Sequence, residues 1–479
     1  MPTTLTNLSW KFAERIASQL VSFVVSIILA RILTPSDYGS VAMVMIFVTL
    51  ANVLVEGGFS SALIQKKDAD KLDFSTVFYF SIVFSIFLYV ALFFSAPYIS
   101  KFYGEGYEIL TPVLRVIGLQ VIIYGANSIQ QAYVSKKMMF KKFFWATLIG
   151  TIVSACIGLS MAFLGYGIWS LVGQQMAMAV TNTIVLYLIT RKLPGLMFSY
   201  QRLKGLFSYG AKILGASLLV SFFLDLRSLI IGKLYSAKDL AFFDRGRQFP
   251  NLLVTNINSS VGAVLFPKMS QEQDDRIRVK QLCRNSIRFS SYVMMPLMLG
   301  MAVCAEPLIR VLLTDKWIDC VPFLQLFCIT YMFYPMHTAN MQAIKAIGRS
   351  GTFLVLEIIK KILELISLLI VMKISVTAIA INMAILTTLF TFINAYPNIK
   401  LLDYSFKEQM SDMLPSLLLS TIMAALVYGI GLILPISDFG LLIVQVLFGI
   451  SCYSALSYLT NNSEFKYIYE LIVNNVHHE

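Results

Sequence analysis

Stretches of about 20 apolar residues, long enough to cross a hydrocarbon layer about 30 Å thick, recur along the whole chain. Inside hydrocarbon a segment must satisfy every backbone N–H and C=O within itself, so each stretch reads as a helix. Windows of about 19 residues place fourteen spans. The first seven cover 12–33, 40–64, 74–96, 110–134, 143–164, 167–190 and 210–231. The other seven cover 248–267, 288–312, 321–344, 352–372, 375–396, 413–434 and 439–460. The span at 248–267 is the most polar, interrupted by Asn251, Asn256, Asn258, Ser259 and Ser260. The expected fold is an all-α polytopic membrane protein with about 14 transmembrane helices. Only 13% of the 479 residues are charged and 57% are hydrophobic, against about 25% charged in soluble chains. That balance excludes a water-soluble enzyme and a nucleic-acid binder, and makes membrane lipids the first partner.

The net charge of +12 gains meaning from its placement. Lys66, Lys67, Lys71, Lys136, Lys137, Lys141, Lys142, Arg191, Lys192, Arg202, Lys204 and the basic stretch from Lys268 to Arg288 fall on the side of the N-terminus. The opposite side holds Arg31, Lys101, Lys233, Lys238, Arg245, Arg247, Arg310, Lys316 and Lys373, a bias of roughly three to one. Basic loops stay in the cytoplasm, so both termini are expected there. The first apolar run continues to Leu33 and reads as a span rather than a cleaved leader. The longest loop, from Lys268 to about Ile287, is too short to form a domain, so the membrane helices carry the function.

An internal repeat organises the spans. ARILTPSDYG (30–39) aligns with GKLYSAKDLA (232–241), pairing Thr34 with Ser236 and Asp37 with Asp239. A second register pairs Pro97 with Pro307, Pro112 with Pro322, Leu114 with Leu324 and Tyr124 with Tyr334. The expected unit is six helices, an even number, so the two copies enter the membrane in one direction as a parallel repeat. The expected organisation is a six-helix lobe over 1–204, a second over 205–400, and two additional, peripheral helices with a short tail over 401–479.

Residues three or four apart share a helix face. Lys11, Arg15, Ser18, Ser22 and Ser26 form one such face in the first span. Thr49, Asn52, Glu56 and Ser60 form another in the second, and Gln120, Tyr124, Asn127, Gln131 and Ser135 a third in the fourth. Lys212, Ser217, Ser221, Asp225 and Ser228 mark the seventh span, Asn251, Thr255 and Asn258 the eighth, and Tyr334, Thr338 and Lys345 the tenth. Polar groups facing lipid cost several kcal/mol, so these faces are expected to turn toward other helices or water. Serines alone read as interhelical hydrogen-bonding groups. Ionisable residues within spans read as functional, which singles out Arg15, Lys212 and Arg227 with Glu14, Glu56 and Asp225. Arg245 and Arg247 follow on the outward turn, beside Asp239 and Asp244. Cations at several depths suit an anionic headgroup such as a phosphate or diphosphate. The headgroup set is thus Lys11, Arg15, Asn52, Lys212, Arg227, Arg245, Arg247, Asn251 and Lys345. Glu14, Glu56 and Asp225 are the candidates for exchanging a coupling H⁺ or Na⁺.

Other signals read as structural. Glu357–Lys361 and Lys360–Glu364 are i,i+4 pairs that neutralise one helix. The six cysteines show no CxxC spacing and read as small core residues, with no metal site. His337, the one histidine outside the tail, reads as packed or hydrogen-bonded. Phosphate-loop, HExxH and GxSxG motifs are absent, so no catalytic residue and no cofactor is assigned. Asp68-Ala69-Asp70 has a metal-binding DxD spacing but lies in a short loop with no nucleotide-binding domain beside it.

The run LARILTPSDYGSVAM (29–43) with GGFSSALIQ (57–65) resembles the start of Wzx-type polysaccharide transporters, the lipid-linked oligosaccharide flippases of the colanic-acid-exporter branch. These belong to the multidrug/oligosaccharidyl-lipid/polysaccharide exporter superfamily. In place of that family's AxxGR-like turn the chain carries FFDRGRQFP (242–250). The resemblance implies an inner-membrane protein moving undecaprenyl-diphosphate-linked oligosaccharide from the cytoplasmic to the periplasmic leaflet through a cationic cavity by alternating access. It also implies work alongside polysaccharide polymerase and chain-length proteins. Carried over by position, Arg15, Glu56 and the basic residues of spans 7 and 8 line that cavity. A drug/cation antiporter of the same superfamily is expected to be richer in cavity acid than base, and a glycan polymerase or ligase to need a large external loop.

The orientation is tested by fusing a reporter after Glu479, with activity expected on the cytoplasmic side. Activity confined to the exterior overturns it.

Overall fold

A computed structural model describes residues 4–56, 58–66, 68–190, 195–467 and 470, with the side chains of 4–9, 11–15, 208, 209 and 212 outside the description. Among the described residues every regular element is a helix. The chain divides into two compact units, Met1–Ala241 and Phe242–Glu479.

The first unit holds α1 (Thr4–Ile32), α2 (Pro35–Glu56), α3 (Phe59–Gln65), α4 (Lys71–Tyr103), α5 (Leu110–Lys136), α6 (Phe140–Phe163), α7 (Ile168–Thr190) and α8 (Tyr200–Leu234). α9 (Ala237–Gln271) begins in it and runs into the second. The second unit continues with α10 (Arg276–Val303), α11 (Ala305–Leu313), a 3-10 turn at Asp315–Cys320, α12 (Val321–Tyr331), α13 (Tyr334–Ala346) and α14 (Ser350–Val371). It closes with α15 (Val376–Leu402), α16 (Phe406–Ile433) and α17 (Asp438–Leu459).

Each of the fourteen expected spans falls on a helix or a helix pair. Among the described residues ten helical segments are long and apolar enough to cross a membrane, eleven if 315–331 and Tyr334–Ala346, bent by 40°, count as one span. The remainder fall short for separate reasons. The described apolar part of α1 is Ile16–Ile32, α9 is diluted by its asparagines and serines, and α14 carries four charges. The second expected span is itself broken into α2 and α3, and the ninth into α10 and α11 at Cys304.

The segments aligned in the expected repeat share one arrangement at their helix starts. Thr34 donates its backbone N–H to Asp37 Oδ2 at 2.9 Å and its hydroxyl at 2.6 Å, while the Asp37 N–H returns to Thr34 Oγ1 at 3.2 Å. Ser236 and Asp239 form the same three bonds at 3.2, 2.6 and 3.1 Å. This reciprocal box satisfies the orphan N–H groups at the starts of α2 and α9. The start of α9 then presses on α2: a Cβ on Gly39 would lie 1.7 Å from the Ala237 carbonyl oxygen.

In the second unit polar groups join the helices. Fully buried Asn340 on α13 donates to Gln409 Oε1 of α16 at 2.7 Å, and Asn398 of α15 donates to Asn340 Oδ1 at 2.7 Å. Asp412, whose side chain is 1% exposed, accepts from Arg284 and Arg288 of α10 at 2.8 and 2.9 Å and from the Tyr404 hydroxyl at 2.8 Å. Gln409, Asp412, Ser416 and Ser420 thus form a buried polar face on α16. The expected span began at 413 and left half of that face outside.

Charge pairs on α14 differ from the i,i+4 expectation. Lys360 bonds Glu357 at 2.6 Å and Lys361 bonds Glu364 at 2.9 Å, both i,i+3. Neutralisation within one helix holds, with the partners exchanged. His337 is bonded to Asn394 and lies 5.5 Å from the Tyr334 ring, the packed role expected for it. The cysteines are free, four of them buried, with Cys452 partly buried and Cys156 exposed. No group of three or more potential ligands for a metal occurs among the described residues.

The break between α2 and α3 turns on Gly58, at φ 113°. A Cβ there would sit 2.1 Å from the Gly210 carbonyl oxygen of α8. Gly104 has a similar φ of 121° with nothing within 4 Å of a Cβ. Gly104→Ala should therefore cost only the strain of a backbone region open to glycine, about 1–3 kcal/mol, and Gly58→Ala at least about 2 kcal/mol more through the clash. Melting temperatures of the two purified variants in detergent should separate clearly, and equal values would remove the close approach.

Candidate functional site

The polar faces of α2, α5 and α8 meet inside the first unit. α2 ends at Glu56, and α3 resumes at Phe59 after a break at which Gly58 takes φ 113°. The turn is possible because glycine adopts positive φ and because Gly210 on α8 lets two backbones touch. Between α2, α3, α5 and α8 lies a cavity of about 310 Å³. Glu56 of α2, Ser60 and Ser61 of α3, Ser128, Gln131 and Ser135 of α5 and Ser217 of α8 supply its polar lining. Val53, Ile64, Ala132 and Ile213 supply the apolar part.

The faces expected from spacing converge here, since Glu56, Ser60, Gln131, Ser135 and Ser217 were placed on them by three- and four-residue steps. Ser61 and Ser128 were not. Ser61 follows the helix break, which resets the face, and Ser128 stands one turn before Gln131 at the other allowed step. One turn further along, Asn52 and Asn127 each bury an Oδ1 that finds no hydrogen-bond partner among the described residues.

Below the cavity a charge network fixes α3, α4 and α8. Asp73, wholly buried, pairs with Lys66 at 2.6 Å and with Arg202 at 3.3 Å. Asp70 accepts the Asp73 N–H at 2.9 Å as the N-cap of α4, and Arg202 lies 3.5 Å from it. That backbone bond, with Arg202 and Lys66 adding to it, holds the Asp70 carboxyl below the usual carboxylate range. The DxD spacing at 68–70 thus contains a helix cap. Lys136 donates to the carbonyls of Leu63 and Lys66, closing the end of α3.

Of the other expected site residues, Lys11, Glu14, Arg15 and Lys212 have side chains outside the described residues. Asp225 and Arg227 are half-buried on α8, two and more turns beyond Ser217, and both have partners. Arg245 is buried, with its guanidinium 5.3 Å from the Trp317 ring and bonded to Gln248 at 2.6 Å. Arg247 pairs with Asp244 at 3.2 Å. Asn251 and Lys345 are exposed, and Lys345 lies 4.5 Å from the Phe353 ring.

The arrangement of the cavity suits recognition by hydrogen bonds. Its hydroxyls and amide both donate and accept, its single carboxylate accepts, and no histidine or cysteine stands among its lining residues.

Residues 28–322 match the family described as polysaccharide biosynthesis protein. The succinoglycan biosynthesis transport protein ExoT of Rhizobium meliloti (strain 1021) is 24% identical over 351 residues, 73% of this chain and 70% of that protein. The lipopolysaccharide biosynthesis protein WzxC of Escherichia coli (strain K12) is 20% identical over 395 residues, 75% of this chain and 80% of that one. Among solved structures, the lipid II flippase MurJ in an inward closed conformation covers 95% of this chain and 99% of its own at 17% identity, with a TM-score of 0.75. An inward-facing multidrug resistance MATE family transporter of the MOP superfamily covers 80% and 94% at 15% identity, with a TM-score of 0.62. With more than half its length matched, this multi-pass membrane chain belongs to the polysaccharide biosynthesis protein family of transporters, built on the fold shared by the lipid flippase and MATE structures.

Proposed function

We propose that the protein moves undecaprenyl-diphosphate-linked oligosaccharide repeat units from the cytoplasmic to the periplasmic leaflet of the bacterial inner membrane, for surface polysaccharide synthesis. The observation that carries the reading is the fold of a lipid flippase over 95% of the chain in a family whose relatives are named for polysaccharide biosynthesis, one of them for its transport. Diphosphate and sugars pass through a polar route while the isoprenoid stays in lipid, because a dianionic group cannot cross hydrocarbon unaided. Alternating access presents the headgroup first to one side and then to the other. Lys11, Arg15, Lys212 and Arg227 compensate the diphosphate, and Glu14, Glu56 and Asp225 are the carboxylates proposed to exchange H⁺ or Na⁺. Polysaccharide polymerase and chain-length proteins are the proposed partners that receive the cargo.

Deleting the protein should leave lipid-linked repeat units in the cytoplasmic leaflet, as read by access to a membrane-impermeant glycan label. Accumulation in the periplasmic leaflet instead points to a polymerase or ligase and overturns the reading. In a complemented strain Arg15→Ala and Lys212→Ala should each lower export about tenfold, the loss of one charge-assisted hydrogen bond, with membrane levels unchanged. Wild-type export in both variants removes these residues from headgroup binding.

A further inference from the structure

Among the described residues the lining of the cavity between α2, α3, α5 and α8 differs from that of a diphosphate site. Its polar lining is one carboxylate, five serine hydroxyls and one carboxamide. A dianionic headgroup placed there would meet Glu56 with no cation among the described lining residues to compensate it. A bare cation exchanging at Glu56 would engage little of the rest of this lining. Ligands for an ion close to about 2.3–2.6 Å around one point, whereas these oxygens spread around about 310 Å³. That space equals roughly ten water molecules at about 30 Å³ each, room for a sugar ring.

Ring hydroxyls are donors and acceptors at once, and the lining answers them in kind: Glu56 accepts, Gln131 does both, and serine hydroxyls rotate to suit. Exposed Ser61 and Ile64 mark where the cavity opens to the surface. The polar faces extend a turn further to Asn52 and Asn127, whose buried Oδ1 atoms are unpartnered among the described residues.

We propose that this cavity seats one sugar ring of the lipid-linked oligosaccharide by its hydroxyls, and so contributes to the choice of glycan. The proposal rests on the oligosaccharide cargo proposed above. The ring is one beyond the first sugar, since Glu56 and a diphosphate repel each other within a Debye length of about 8 Å.

The test uses the full chain in proteoliposomes with two cargoes extracted from the source cell: the complete lipid-linked repeat unit, and its precursor carrying only the first sugar on the diphosphate lipid. Gln131→Leu and Ser217→Leu should each lower the ratio of complete-unit to precursor transport about tenfold, the effect of one or two lost hydrogen bonds. Equal losses for both cargoes, or an unchanged ratio in both variants, would overturn the sugar seat. Failure of the wild-type protein to move either cargo would instead overturn the flippase reading on which it stands. In a parallel arm, melting of the purified protein is followed with the oligosaccharide released from the carrier and, separately, with NaCl at constant ionic strength. A rise with oligosaccharide that Gln131→Leu abolishes is expected; a rise with NaCl alone would assign the cavity to a cation and overturn the proposal.

Discussion

Hydrocarbon offers no hydrogen bonds, so every polar group carried into it must find a partner within the protein or in enclosed water. That requirement shapes both units. In the second, Asn340, Asn398 and Gln409 bond one another across three helices. Asp412 is held between two arginines and a tyrosine hydroxyl. In the first, Asp73 is buried with Lys66 and Arg202 closing on it from α4's neighbours. Removing one partner of such a set leaves an uncompensated charge, which costs more than the pair contributes.

Against that background the cavity at Glu56 stands out by composition. Elsewhere buried carboxylates are matched by cations at 2.6–3.3 Å. Glu56 faces serines and an amide around open space. A lining of serine hydroxyls, a carboxamide and a carboxylate around open space suits a ligand that brings its own hydroxyls. The helix break that forms its floor depends on two glycines whose backbones touch, so its shape is set by rigid elements rather than by a loop.

The likeness of the two helix starts at 34–37 and 236–239 was legible because it reuses local chemistry. Thr34-Asp37 and Ser236-Asp239 each cap a helix that follows immediately, and a hydroxyl three residues before a carboxylate marks that box in any sequence. The faces around Glu56, Gln131 and Ser217 were legible for a similar reason, since helical spacing puts them in line. The pairing on α14 was not. Both i,i+3 and i,i+4 partners are within reach of Lys360 and Lys361, and spacing along one helix does not choose between them. The surroundings of Arg245 were also beyond the sequence, since a position on a turn does not show that Trp317 and Gln248 lie against it.

What the chain's order of residues determined by itself is the membrane, the helices and their polar faces, because apolar length and a 3.6-residue period are local properties. Tertiary packing alone decided which faces meet, where the second and tenth expected spans break, and which charges are consumed in structural pairs. Those outcomes depend on contacts between residues far apart in the chain, such as Gly58 with Gly210 and Asp412 with Arg284, and no local pattern encodes a distance across helices.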